Sequence, residues 1–93
     1  MSKYETVMIL NNEITEGQKN NVIAKIKNYI LANGEIIEEQ NLGERRLAYE
    51  VNKQNIGYYY VIKFKAKSTS IFELERIYRI TDEVLKFIVV KED

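Results

Sequence analysis

Ile56-Gly57-Tyr58-Tyr59-Tyr60-Val61-Ile62-Lys63-Phe64-Lys65-Ala66-Lys67 is the stretch from which the fold can be read. Alternate residues of a strand point to opposite faces, so Tyr58, Tyr60, Ile62, Phe64 and Ala66 share one face and Tyr59, Val61, Lys63 and Lys65 the other. The even face carries no charge and has the character of a core; the odd face carries lysines and does not. A sheet built around this strand has one covered side and one open side.

The neighbouring elements follow from their periods. Upstream, Glu35 to Val51 is strand-like and ends in the alternation Leu47, Tyr49, Val51; Gln40-Asn41-Leu42-Gly43 interrupts it, which predicts a bend or bulge at the glycine. The polar connection Asn52-Lys53-Gln54-Asn55 makes the two strands a hairpin. Tyr4 to Leu10, with Thr6, Val7 and Ile9, forms a first strand that stops at Asn11-Asn12. Thr15-Glu16-Gly17-Gln18 has capping-box spacing, and Val22, Ile23, Ile26, Tyr29 and Ile30 form one apolar stripe, predicting a helix over 16–33 with Gly34 as a left-handed stop. Ser70-Ile71-Phe72-Glu73 repeats the capping-box spacing, and Ile71, Leu74, Ile77 and Tyr78 carry a second helix to about Ile80. Thr81-Asp82-Glu83 ends it, and Val84 to Lys91 forms a last strand. The order βαββαβ specifies an α+β, ferredoxin-like sandwich: a four-stranded antiparallel sheet with both helices on one face.

Composition removes most catalytic classes. The 93 residues suit one domain, residues 1–93, and contain neither cysteine nor histidine, so disulfides, thiol catalysis and the commonest metal ligand and general base are excluded. Adjacent strand residues face opposite ways, so Glu38 and Glu39 cannot converge on one atom, and Leu10-Asn11-Asn12-Glu13 offers no glycine-rich anion cradle before the first helix. Neither an enzyme, nor a cofactor, nor a small-molecule substrate is expected. No charge-free stretch approaches the roughly 20 apolar residues of a membrane helix, and Lys3 and Glu5 interrupt any signal sequence, so a cytoplasmic protein without membrane contact is expected.

Function must then lie in surfaces. Tyr59 and Val61, joined by Val7 and Ile9 from the first strand and Ile88 or Val89 from the last, make the open face apolar enough to dock a partner. Arg45 and Arg46, fixed to a hairpin, are suited to holding phosphates, although Glu44, Glu50 or Glu38 could pair with them instead. Fourteen basic and fourteen acidic residues cancel, which argues against autonomous binding of nucleic acid. Residues 45–79, however, hold eight basic side chains against three acidic ones. Base stacking in the manner of an RNA-recognition motif fits poorly: Tyr58 and Tyr60 share the core face, and Lys63 stands where that motif wants an aromatic.

The chain resembles the bacterial small-subunit ribosomal protein S-six family throughout. The resemblance is carried by Lys3-Tyr4-Glu5, Gly43-Glu44-Arg45-Arg46-Leu47-Ala48-Tyr49, Gly57-Tyr58, Arg79-Ile80, and Asp82 and Val84 with Val89-Val90-Lys91. It implies a structural, cytoplasmic role in the small ribosomal subunit, binding the central domain of 16S ribosomal RNA as a heterodimer with ribosomal protein S-eighteen. In that family the partner packs on the open sheet, which maps to Tyr59 and Val61. Arg45, Arg46 and Lys3, with Lys86 and Lys91, would meet phosphates at its edge. The pattern alone leaves another assignment open, a small-molecule regulatory module that homodimerises through the same sheet face.

Overall fold

Both faces expected of the Tyr58–Ala66 strand are present, and what separates them is the placement of two helices. The computed structural model describes residues 1–92, so Asp93, the last residue of the expected single domain, lies outside the described residues. The elements are β1 (Ser2–Asn11), α1 (Glu16–Asn33), β2 (Gly34–Val51), β3 (Gln54–Ala66), a 3-10 turn (Ser68–Ser70), α2 (Ile71–Arg79) and β4 (Val84–Lys91). The strands form one antiparallel sheet in the order β2-β3-β1-β4, the ferredoxin-like arrangement. Helices α1 and α2 cover one face, where Val22, Ile26 and Ile30 of α1 and Leu74 and Tyr78 of α2 pack on the sheet. They meet Met8 and Leu10 of β1 and Ile62, Phe64 and Ala66 of β3.

Several local expectations gain a physical account. The capping box at α1 is complete: Thr15 Oγ1 accepts from the Gln18 amide at 3.1 Å, and Gln18 Oε1 accepts from the Thr15 amide at 2.8 Å. The bulge is also where glycine placed it, with Gly43 at φ 70 between register shifts in β2. Two other expectations need correcting. Gly34 is not a left-handed stop; its φ is 176, and what demands glycine is close approach, because a Cβ there would lie 1.8 Å from the Lys65 carbonyl oxygen. The second capping box does not form, since Ser70 is itself helical and its hydroxyl donates backward to the Lys67 carbonyl at 2.6 Å. The preceding 3-10 turn feeds directly into α2, so the serine satisfies the turn rather than the helix start.

One buried polar chain ties the edge strand to the core. Thr6 is fully buried and Tyr78 nearly so; Thr6 Oγ1 lies 2.8 Å from Tyr78 Oη and donates to the Ile88 carbonyl at 3.0 Å. The threonine hydroxyl has one proton, so the tyrosine must be the donor between them. Tyr78 O–H to Thr6 O–H to Ile88 C=O therefore runs from α2 through β1 into β4, and the Tyr78 ring stacks on Phe87 with centroids 4.8 Å apart.

Candidate functional site

The face of the sheet away from the helices divides along its length. At one end lie Val7 and Ile9 of β1, Tyr59 and Val61 of β3 and Ile88 of β4, brought together by the pairs Val7 with Val61, Val7 with Ile88 and Ile9 with Tyr59. At the other end the pairs are Lys3 with Lys65, Glu5 with Lys63, Glu35 with Lys65 and Glu38 with Lys63, a mixed charged surface. The two ends, Lys3 and Ile9, are six residues apart along β1, about 20 Å.

The apolar end is not uniformly available. Ile88 is 47% exposed and Val7 and Tyr59 are partly exposed, but Ile9 and Val61 are each only 7% exposed. Both were expected at the open face, and both lie on it, but beneath its more exposed residues rather than among them. Val61 is central, flanked by Val7 on β1 and Gln40 on β2. Ile9 is roofed by the chain itself. Between the pairs Arg46–Ile56 and Val51–Gln54, β2 has Leu47 to Glu50 where β3 has only Asn55, so this segment bows out of the ladder as an arm. Leu47 is buried; its Cδ2 and the Ile9 Cγ2 crowd the space above Gly57, where an added Cβ would lie 2.4 Å from Ile9 and 3.2 Å from Leu47. Gly57 is what lets the arm lie down. A small cavity of about 90 Å³ remains between the arm, Ile9, Tyr59 and Lys86.

The arm ends on β4. Lys86 Nζ donates to Tyr49 Oη at 2.9 Å and sits 5.2 Å from that ring's centroid. The hydrogen bond to the ammonium, and then its charge, hold the Tyr49 phenol below its ordinary pKa; the same two causes, in the same order, raise that of Lys86. Lys86 is thus engaged by a tyrosine on the open face. Tyr49, 65% exposed, and Val90, 52% exposed, extend the apolar cluster and were not among the expected residues. The alternation Leu47, Tyr49, Val51 was visible, but it reads as ordinary ladder; the outward bow depends on a register change that no local pattern announces.

The expected cations do not converge. Arg45 stands opposite Gly57 and Lys86 opposite Ile9, both on the open face at its apolar end. Lys3 shares that face but lies at the far end beside Lys65. Arg46, opposite Ile56, and Lys91, opposite Tyr4, fall on the helix side of the sheet. Arg45 and Arg46 are both exposed, and neither makes an ion pair or hydrogen bond among the described residues, so pairing with Glu44, Glu50 or Glu38 does not absorb them. Adjacent residues on a strand separate the pair: one arginine serves each face. Among the described residues no cluster of acidic side chains is arranged to hold a metal ion, and no helix is long and apolar enough to cross a membrane.

Comparison with known proteins places this geometry. A profile of the family described as ribosomal protein S6 matches residues 3–91. The small ribosomal subunit protein bS6 of Clostridium kluyveri is 46% identical over 95 residues, spanning 100% of this chain and 99% of its own. That of Thermoanaerobacter pseudethanolicus is 39% identical over 94 residues, with 100% and 99% covered. That of Helicobacter acinonychis is 45% identical over 94 residues and covers all of this chain, which spans 66% of the longer relative. The crystal structure of 30S ribosomal protein S6 from Thermotoga maritima superposes with a TM-score of 0.93 at 30% identity, covering 98% of this chain and 87% of that one.

Proposed function

Because the chain belongs to the ribosomal protein S6 family, whose members are structural proteins of the small ribosomal subunit and not enzymes, we propose that it docks ribosomal protein S-eighteen on its open sheet face and binds the central domain of 16S ribosomal RNA as that heterodimer. The observation that carries the reading is the cluster of exposed Ile88 and Val90 with partly exposed Val7 and Tyr59, continued by Tyr49, on the face the helices leave uncovered. Contiguous apolar groups on an exposed sheet face favour burial against a partner. Net charge supports a joint mode of RNA binding: with fourteen charges of each sign, the chain lacks the field to hold RNA alone, and a basic partner would supply it.

In this reading Arg45 is the phosphate contact nearest the partner, beside the apolar end of the face. Lys3 would reach RNA only at the opposite end, and Arg46 and Lys91 only from the other side of the sheet. Lys86 holds Tyr49 in the free chain and would reach a phosphate by exchanging that neutral hydroxyl for a charge, the stronger partner. The test is calorimetric titration of the chain with purified S-eighteen, followed by RNA-fragment binding at several salt concentrations. Tyr59→Ala should weaken the heterodimer by about 1–3 kcal/mol as a central anchor. Arg45→Ala should leave the heterodimer intact while lowering the salt slope of RNA binding by about one. A Tyr59→Ala chain with unaltered partner affinity would remove the open face from the interface.

A further inference from the structure

We propose that the groove between α1 and β2, on the helix side of the sheet, is a binding site for an adenine base. The groove encloses about 500 Å³, with α1 as one wall, Asn41 of β2 as the other and Tyr58 and Tyr60 of β3 between them. That volume lies in the range of small-molecule sites and admits a purine nucleoside. It lies on the opposite side of β3 from Tyr59, so the assignment stands apart from the open-face reading.

The groove is constructed rather than left over. The helix-facing positions of β2 are polar where a sandwich would place apolar side chains: Glu39 stands opposite Ile62, Asn41 opposite Tyr60 and Glu44 opposite Tyr58. Here polar contacts bridge the walls. Lys27 of α1 pairs with Glu39 of β2 at 3.0 Å, and the Tyr60 hydroxyl donates to the same carboxylate oxygen at 2.6 Å. Lys19 lies 4.5 Å from the Tyr58 ring centroid and donates to Asn12, fixing the second aromatic. The floor is therefore two oriented phenol rings.

The lining selects among ligands. Lys27 is paired with Glu39, Lys19 beside Tyr58 is hydrogen-bonded to Asn12, and Glu16 adds a carboxylate at the rim, so the groove offers a phosphate no unengaged cation. A flat, neutral, aromatic ligand suits tyrosine faces, which stack bases irrespective of sequence. Carboxamides then choose the base. Asn20 and Asn28 line the groove and make no side-chain hydrogen bond among the described residues, and Asn41 spends only its oxygen, on the Gly43 amide at 3.0 Å. An asparagine amide matches the paired donor and acceptor of adenine, whereas guanine calls for a spare arginine or lysine. The base could come from a free nucleoside or nucleotide or from an RNA strand; the stacking and amide chemistry is common to both.

The test is an NMR titration of the 15N-labelled chain with adenosine, guanosine, cytidine, AMP and a short oligoadenylate, followed at the asparagine side-chain amides. Adenosine should give saturable shifts at Asn20 and Asn28 with a Kd on the order of 1 mM, and guanosine and cytidine should bind more weakly. Asn28→Ala, an exposed helix position where alanine favours folding, should weaken adenosine binding about fivefold, as loss of one hydrogen-bonding group would. Oligoadenylate binding tighter than AMP assigns the site to RNA, and equal binding assigns it to a free nucleotide. Absence of saturable shifts, shifts unaffected by Asn28→Ala, or guanosine equal to adenosine overturns the proposal. Because the titration contains no partner and leaves Arg45 and Tyr59 intact, its failure would not touch the heterodimer reading, nor would failure of that reading touch the groove.

Discussion

The hydroxyl chain Tyr78–Thr6–Ile88 offers a stability experiment whose outcomes differ in sign of coupling as well as size. Tyr78→Phe removes the donor at the 2.8 Å contact and leaves Thr6 its bond to the Ile88 carbonyl, so it should cost about 1 kcal/mol, the net worth of one hydrogen bond. Thr6→Val keeps the shape but deletes the shared oxygen. It strands the Tyr78 hydroxyl, whose side chain is 1% exposed, and removes a partner from Ile88, for about 2–3 kcal/mol. In the double variant phenylalanine abolishes the stranded donor, so the cost should fall short of the sum by about 1 kcal/mol or more, a coupling that a double-mutant cycle resolves. Thermal unfolding followed by circular dichroism measures all four chains, and each kcal/mol should move the midpoint temperature by about 4–8 °C in a domain of this size. The hydroxyl of Tyr78 stays protonated throughout, since burial pushes its pKa up. Additive effects, or a Thr6→Val chain no less stable than Tyr78→Phe, would refute the assignment of tyrosine as donor and threonine as relay.

Two glycines should respond to alanine for opposite reasons. Gly34→Ala drives a Cβ to 1.8 Å from a backbone oxygen and should cost about 3 kcal/mol or more by denaturant unfolding, whereas Gly43→Ala meets nothing within 4 Å and should cost only the left-handed conformation, about 1–2 kcal/mol. Alkaline stability should depend on Tyr60, whose pKa is pushed up to about 12 by burial first and then by its bond to Glu39. A phenol that holds its proton more tightly when folded contributes fully below its unfolded pKa of about 10 and loses that contribution as pH rises through about 12, so Tyr60→Phe should flatten the fall in melting temperature across that window. Lys86→Met should return the Tyr49 phenol toward its ordinary pKa, read as an upward shift of one tyrosine in an ultraviolet pH titration; an unchanged titration would place Tyr49 away from β4.

What the sequence could and could not disclose follows from the range of each interaction. The βαββαβ order, the 16–33 helix, the capping box at Thr15 and the bulge at Gly43 are set by contacts within a few residues, or by a period that repeats along one element, and all are present in the fold. The open face was legible for the same reason: strand parity alone puts Tyr59 and Val61 opposite Tyr58 and Tyr60. Ser70 and Gly34 mark where local rules stop, because a capping spacing cannot report that a 3-10 turn has claimed the serine, and a glycine after a helix cannot report that a strand 31 residues later passes against its α-carbon. The site was harder still. Arg45-Arg46 looks like one cationic unit in the chain and becomes two separated cations as soon as it lies in a strand, while Leu47 to Tyr49 leaves the ladder to cover Ile9 because Gly57, on the neighbouring strand, has no side chain to stop it. That consequence is tertiary: the glycine at the start of the aromatic strand decides how much of the open face the arm covers. Gly57→Ala should lift the arm, breaking Tyr49 from Lys86 and exposing Ile9, and thereby alter partner affinity without changing any residue at the face's contact layer.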